Sequence, residues 1–206
     1  MPPSATPSPS ASPTATPGQL TYNRQAAVAY AKQYTGTTQS CPRTSCYNSA
    51  YSAYPTDCTN FVSQALYAGG WPMVGGTIWD VYKDDVWWYG QSKIGNKLSY
   101  KSPSGFFGQA SETWTSANKF SKFLTASGRA IQFGSAAMLD LGDVIQLQII
   151  NGDIHHTMLV TGFDPKTQEI LLSYHTNNQL DNPLSKVVAA SGGQTLIYWK
   201  LLDVIP

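Results

Sequence analysis

The stretch Tyr54-Pro-Thr-Asp-Cys-Thr-Asn-Phe-Val-Ser-Gln-Ala-Leu-Tyr-Ala-Gly-Gly70 sets a single cysteine where a helix is predicted to begin. Thr56 and Asp57 are N-cap residue types, Phe61, Val62, Ala65 and Leu66 recur at helical spacing, and Gly69-Gly70 supplies a stop. Cys58 then lies in the first turn, on the face shared with Phe61 and Val62, and points toward packed surface. Unpaired amides and the helix dipole favour a thiolate there, so the expectation is a cysteine pKa drawn down from ~8.5 toward the range of about 3.5 to 7.5. The competing reading is a small buried side chain that merely fills space.

Upstream, Asn23 to Tyr34 reads as a helix with Ala27, Tyr30, Ala31 and Tyr34 on one stripe and Gly36 as terminator. Residues 36–55 form a polar loop in which Cys41 and Cys46 bracket Pro-Arg-Thr-Ser, a separation that suits a small disulfide and leaves Cys58 unpaired. No Cys-x-x-Cys pair is present, which argues against a zinc site.

Residues 1–18 hold six Pro, four Ser, three Thr and three Ala with no charge and no aromatic residue. Such a segment buries too little apolar surface to offset ordering, so it is expected to be a disordered or polyproline-like tether ahead of one domain, 19–206. No charged n-region followed by an apolar run opens the chain, so no signal peptide is visible. A Pro/Ser/Thr/Ala stalk before a tyrosine-rich, charge-poor domain nevertheless points to an exported bacterial protein, secreted or tethered at the cell surface.

Only 12% of residues are charged and the formal net charge is +1, which gives no electrostatic footprint for nucleic acid or anionic lipid. No apolar run approaches the ~18 residues that span a bilayer.

Downstream of the central stretch, Trp71 to about Thr113 shows no sustained period but is dense in Trp79, Tyr82, Trp87, Trp88, Tyr89, Phe106 and Phe107. Long aperiodic segments of this kind form binding loops, so the insert is a candidate wall of a substrate cleft; the alternative is that its rings cover the core. Thr115 or Ser116 caps a further predicted helix with Ala117, Phe120, Phe123 and Leu124 inward and Ser127-Gly128 at its end.

The period then changes. Leu141-Gly-Asp-Val leads into a strand in which Ile145, Leu147 and Ile149 alternate with Gln146 and Gln148. Asn151-Gly152 signals a two-residue hairpin to a strand at 154–161. Another strand is expected at 170–176, and the apolar tail 195–205 supplies one or two more. Helices first and antiparallel strands second make an α+β domain.

The three histidines, His155, His156 and His175, all fall on two adjacent predicted strands. Strict alternation sends His155 and His156 to opposite faces, which weakens any reading in which the pair grips a metal and leaves open which of them faces Cys58. A cysteine nucleophile needs a base within reach and a third polar group to orient that base, and Cys58, one of the two adjacent histidines and His175 supply those parts.

Asp57-Cys-Thr-Asn-Phe-Val-Ser-Gln, Leu141-Gly-Asp-Val-Ile-Gln, His156-Thr-Met-Leu-Val-Thr-Gly and Tyr174-His-Thr-Asn-Asn together resemble the bacterial putative amidase domain family over about Tyr22 to Leu202. That family is similar to NlpC-type and CHAP-type peptidoglycan hydrolases with a reduced papain-like fold. The resemblance implies Cys58 as nucleophile, His156 as general base and His175 as the orienting third member, with Asn177 and Asn178 as alternatives for that last place and His155 as a bystander. It implies acyl transfer without metal or cofactor, on peptide or peptidoglycan substrates. Two other readings remain: a non-catalytic glycan- or peptide-binding module built on Trp79, Trp87 and Trp88, and a thiol acyltransferase or toxin effector on the same scaffold.

Overall fold

A computed structural model describes residues 18–76, 79–90 and 110–206, together with the backbone of two short strands, β1 (Lys93–Ile94) and β2 (Lys97–Leu98). The expected tether, apart from Gly18, and Phe106 and Phe107 of the aromatic insert lie outside the described residues.

Helix α1 (Arg24–Gln33) starts where Asn23 accepts a bond from the Ala26 amide, and it buries Ala27 and Ala31. Helix α2 (Cys58–Ala68) follows the disulfide-closed loop. A single turn, α3 (Glu112–Thr115), leads into α4 (Ala117–Ser127), which Ser116 caps through the Lys119 amide and Gly128 ends in the left-handed conformation at φ 65°. Ala117, Phe120, Phe123 and Leu124 are buried, as their helical spacing predicts.

The remaining chain forms β3 (Ala130–Phe133), β4 (Val144–Gln148), β5 (Ile154–Phe163), β6 (Ile170–Tyr174), β7 (Gln179–Pro183), α5 (Leu184–Ala190) and β8 (Thr195–Leu201), with a 3-10 turn at Ala136–Met138. The strands make one six-stranded antiparallel sheet in the order β3-β8-β4-β5-β6-β7. This is an α+β domain with the cysteine-bearing helix packed on an antiparallel sheet, as the order of periodicities implies.

Both faces of the sheet are covered. Phe61, Val62, Leu66, Phe120 and Leu124 pack with Val144, Leu159 and Trp199 on one face, while Ile145, Leu147, Met158, Val160 and Leu172 pack with Val187 of α5 on the other. Gln146, expected to alternate outward, is therefore fully buried. Its amide donates to the Ala117 carbonyl and Thr157 Oγ1, and its Oε1 accepts from the Trp199 indole, so no polar atom is orphaned.

The β4–β5 connection departs from the two-residue expectation. Ile149 N bonds Asp153 O while Gly152 N bonds Ile149 O, which leaves a three-residue loop with Gly152 at φ 95°. The expected aromatic cleft wall is also corrected. Trp87 and Trp88 are buried, Trp87 stacking among Trp71, Trp114 and Phe123, because a charge-poor insert gains most by covering the core. Trp79 alone of the three stands exposed.

One polar junction ties the first helix to the sheet. Arg24 donates to Asp143 (2.7 Å), Asp203 (2.5 Å) and the carbonyls of Leu141 and Leu201. Asp143, wholly buried, also accepts from the Asp140 and Leu201 amides. The Gly142 next to it has φ 78°, and a Cβ there would stand 2.7 Å from the Tyr22 hydroxyl that donates to the Gly142 carbonyl. Arg24→Ala leaves Lys200, 3.3 Å from Oδ2, as the remaining cation on the buried Asp143, so a guanidinium titration is expected to show a loss of about 3 kcal/mol, with Arg24→Lys recovering only part because one ammonium cannot reach four acceptors.

Candidate active site

Asp57 occupies the N-cap of α2, yet its carboxylate does not cap the helix. Oδ1 accepts from the Tyr54 amide and Asn60 Nδ2, both at 2.9 Å, and Oδ2 lies 2.6 Å from His175 Nδ1. The first-turn amides are thus left without the usual side-chain acceptor. Neighbouring polar residues are committed to the packing. Thr59 bonds Thr157, Asn60 receives the Trp114 indole, Ser63 receives the Trp87 indole, and Gln64 receives the Tyr30 hydroxyl.

Cys58 meets the sheet at a specific gap. The β5–β6 ladder runs from Phe163↔Ile170 to Leu159↔Ser173 and no further. Val160 N bonds Asp143 O on the β4 side, so by alternation the Thr157 amide and His155 carbonyl face away from β4. The Cys58 sulfur takes that place, donating to His155 O at 3.9 Å and receiving the Thr157 N–H.

Strict alternation fails just there. Leu147 pairs with His156 but Gln148 pairs with Ile154, so His155 is the extra residue of a β-bulge. The bulge turns both His155 and His156 onto one cavity of about 800 Å³ that Cys58, Tyr174 and Asn177 also line. His155, expected as a bystander on the opposite face, shares the site; its Nε2 donates to Gln194 Oε1 at 2.7 Å. The His156 ring lies edge-to-face against Tyr174, centroids 4.9 Å apart.

His175 does not line this cavity. It is 1% exposed, sandwiched between Tyr47 at 3.6 Å and Phe61 at 4.1 Å between ring centroids. Its Nε2 donates to the Tyr34 carbonyl (2.8 Å) and its Nδ1 lies 2.6 Å from Asp57 Oδ2. Neither nitrogen is left to orient His156, so His175 sits behind α2 rather than beside His156. Asn178 is committed as well, to the Cys41 and Arg43 carbonyls and the Tyr47 hydroxyl.

The electrostatics reverse one expectation. Burial pushes the Cys58 thiol up, outweighing the Thr157 and Thr59 hydrogen bonds that favour the thiolate. Burial, with His155 nearby, lowers His156 to about 4. At neutral pH the site holds a thiol and a neutral imidazole, a donor and an acceptor rather than an ion pair.

Sequence comparison supplies the family at this point. A profile described as "putative amidase domain" matches residues 21–199. The chain belongs to that family. It is 32% identical over 147 residues to the uncharacterized protein YhbB of Bacillus subtilis (strain 168), covering 69% of this chain and 38% of that protein. It is 28% identical over 177 residues to the uncharacterized protein YjcM of the same organism, covering 85% and 36%. The chain thus spans less than two fifths of the length of these curated relatives. No solved structure gives a significant match.

His156 offers a direct measurement. Its folded pKa of about 4 lies below the usual ~6.5, so in the interval between them the unfolded chain binds a proton that the folded chain does not. Folding stability is then expected to fall as pH drops from about 6.5 to 4, by about 2–3 kcal/mol in total. Urea melts across that interval should show the loss in the parent and a shallower one in His156→Gln.

Proposed function

We propose that this domain is a cysteine amidase or peptidase of reduced papain-like build, akin to NlpC-type and CHAP-type hydrolases, acting on peptide amide bonds such as those of cell-wall or other extracellular peptides, in a secreted or surface-tethered setting. The observation that carries the reading is the opening of Cys58 and His156 onto one cavity at the end of the β5–β6 ladder.

The neutral His156 accepts the Cys58 proton as the sulfur attacks the amide carbonyl carbon. The carbonyl oxygen becomes an oxyanion beside the first-turn amides of α2, which Asp57 has left free of its own carboxylate. Protonated His156 then gives its proton to the departing amine, leaving a thioester on Cys58. Water, deprotonated by His156, attacks that thioester and releases the carboxylic acid and the thiol. A base with a pKa near 4 is a weak proton acceptor but, once protonated, a strong donor to the leaving amine. No metal or cofactor takes part in these steps.

His175 acts as a positioning residue, bonded to Asp57, the residue preceding the nucleophile. His155 as the base is the second reading, favoured by its bond to Gln194, which fixes the ring while leaving Nδ1 available. A purely binding role for the aromatic insert loses support because Trp87 and Trp88 are buried. An acyltransferase would use the same sulfur with an amine in place of water, and product analysis with added amine separates the two.

Purified Cys58→Ala, assayed on peptide and cell-wall substrates, is expected to lose about a thousandfold or more in kcat/KM while remaining folded, with about 1–3 kcal/mol lost because the sulfur no longer meets the Thr157 amide and the His155 carbonyl; undiminished hydrolysis removes the proposal. His156→Ala should follow it, whereas His155→Ala should retain most activity. His175→Ala is expected to differ in kind, losing about 2–5 kcal/mol of stability because it strands the buried Asp57.

A further inference from the structure

Resting on the reading of Cys58 as nucleophile, we propose that the cavity selects a peptide carrying a carboxylate close to the scissile amide, and that Lys186 is the residue that recognises it. The charge inventory of the cavity is one-sided. Its lining includes Lys186 and no aspartate or glutamate.

Lys186 is an exposed residue of α5, one position before Val187, which is buried in the core on that face of the sheet. The packing of Val187 fixes the backbone from which the lysine projects. Ala190 lies four residues on, on the same side of the helix, and lines the same cavity with Lys186. Among the described residues no carboxylate stands within ion-pair distance of Lys186; Glu169, which does not line the cavity, attracts it from farther off. Glu169 accepts from the Ser185 amide at 2.7 Å, and Asp181 is held by Lys32 at 3.0 Å and Thr161 at 2.7 Å.

The polar groups around the cation extend the pattern. Asn177, Gln179 and Gln194 contribute side-chain amides to the wall, each able to donate to an anion. A cavity whose lining holds a cation and amide donors but no fixed anion is complementary to a ligand that brings the anion itself. A positively charged peptide would meet Lys186 without a compensating group. A neutral one would desolvate the ammonium and gain nothing in return.

The test uses the Cys58→Ala variant of residues 1–206, so that binding is read without turnover. Titration calorimetry compares acetyl-Ala-Glu-Ala-amide with acetyl-Ala-Gln-Ala-amide, which differ only by a carboxylate against an isosteric amide. The expected result is about tenfold tighter binding of the Glu peptide, weakening as salt rises. The preference should vanish in Lys186→Gln and reverse toward a Lys-containing peptide in Lys186→Glu. Lys186 is exposed, so both variants should melt as the parent does. Equal affinity for the two peptides, failure to bind either, or a preference that survives Lys186→Gln overturns the proposal. Those outcomes leave the hydrolase reading intact, because that reading fails only if Cys58→Ala hydrolyses peptides as the parent does.

Discussion

The contact on which the rest of the structure depends is the buried pair of Asp57 and His175. A carboxylate at an N-cap ordinarily satisfies the amides of its own helix. Here it reaches across to an imidazole on the residue just past β6, and that imidazole passes the bond on to the Tyr34 carbonyl at the end of α1. Three elements distant in sequence are therefore held at one point, one residue from Cys58. Because the Tyr34 carbonyl can only accept, it fixes the hydrogen on Nε2 and leaves Nδ1 facing the Asp57 carboxylate.

That commitment also explains how the sulfur reaches its place. Asp57 N is held by Thr176 Oγ1 at 2.9 Å, and Thr176 and Asn177 both adopt left-handed φ, 65° and 62°. The chain leaving β6 is thereby turned away before it can pair with the start of β5. The gap it leaves exposes the Thr157 amide and the His155 carbonyl, and Cys58 fills it. Burial there outweighs the helix dipole and favours the thiol over the thiolate.

Much of this was legible in the sequence, and the failures have physical causes. The helices at Asn23, Thr56 and Ser116 announced themselves because caps, apolar spacing and glycine stops agreed. The polar strand Gln179–Pro183 and the short helix after it carry no periodic signal, and they exist because β6 offers an edge and Val187 a buried anchor. Gln146 reads as surface by alternation, and only a sheet covered on both faces makes it core. His155 was misplaced because alternation assumes an unbroken ladder, and a bulge has no residue signature here. His175 shows a different limit. Its spacing from His156 fits an orienting role as well as a bracing one, and only the direction of its ring separates the two.

The disulfide loop completes the brace. Closing a loop of about six residues removes on the order of 2 kcal/mol of unfolded-chain entropy in the chain-entropy account, a modest sum for a domain of this size. Its effect at the site is geometric. Asn178 donates to the Cys41 and Arg43 carbonyls and accepts from Tyr47, whose ring lies flat on His175 at 3.6 Å, only 4° from parallel. With Phe61 on the other side, the imidazole cannot tilt without displacing either the loop or α2. Tyr47 itself is pushed up to about 12, first by burial and then by Asp57, so it stays a neutral phenol that screens the buried pair from water. The loop thus bears on the sulfur through two stacked rings and a carboxylate, which gives the Cys41–Cys46 bridge a part in fixing the mouth of α2 although neither cysteine lines the cavity.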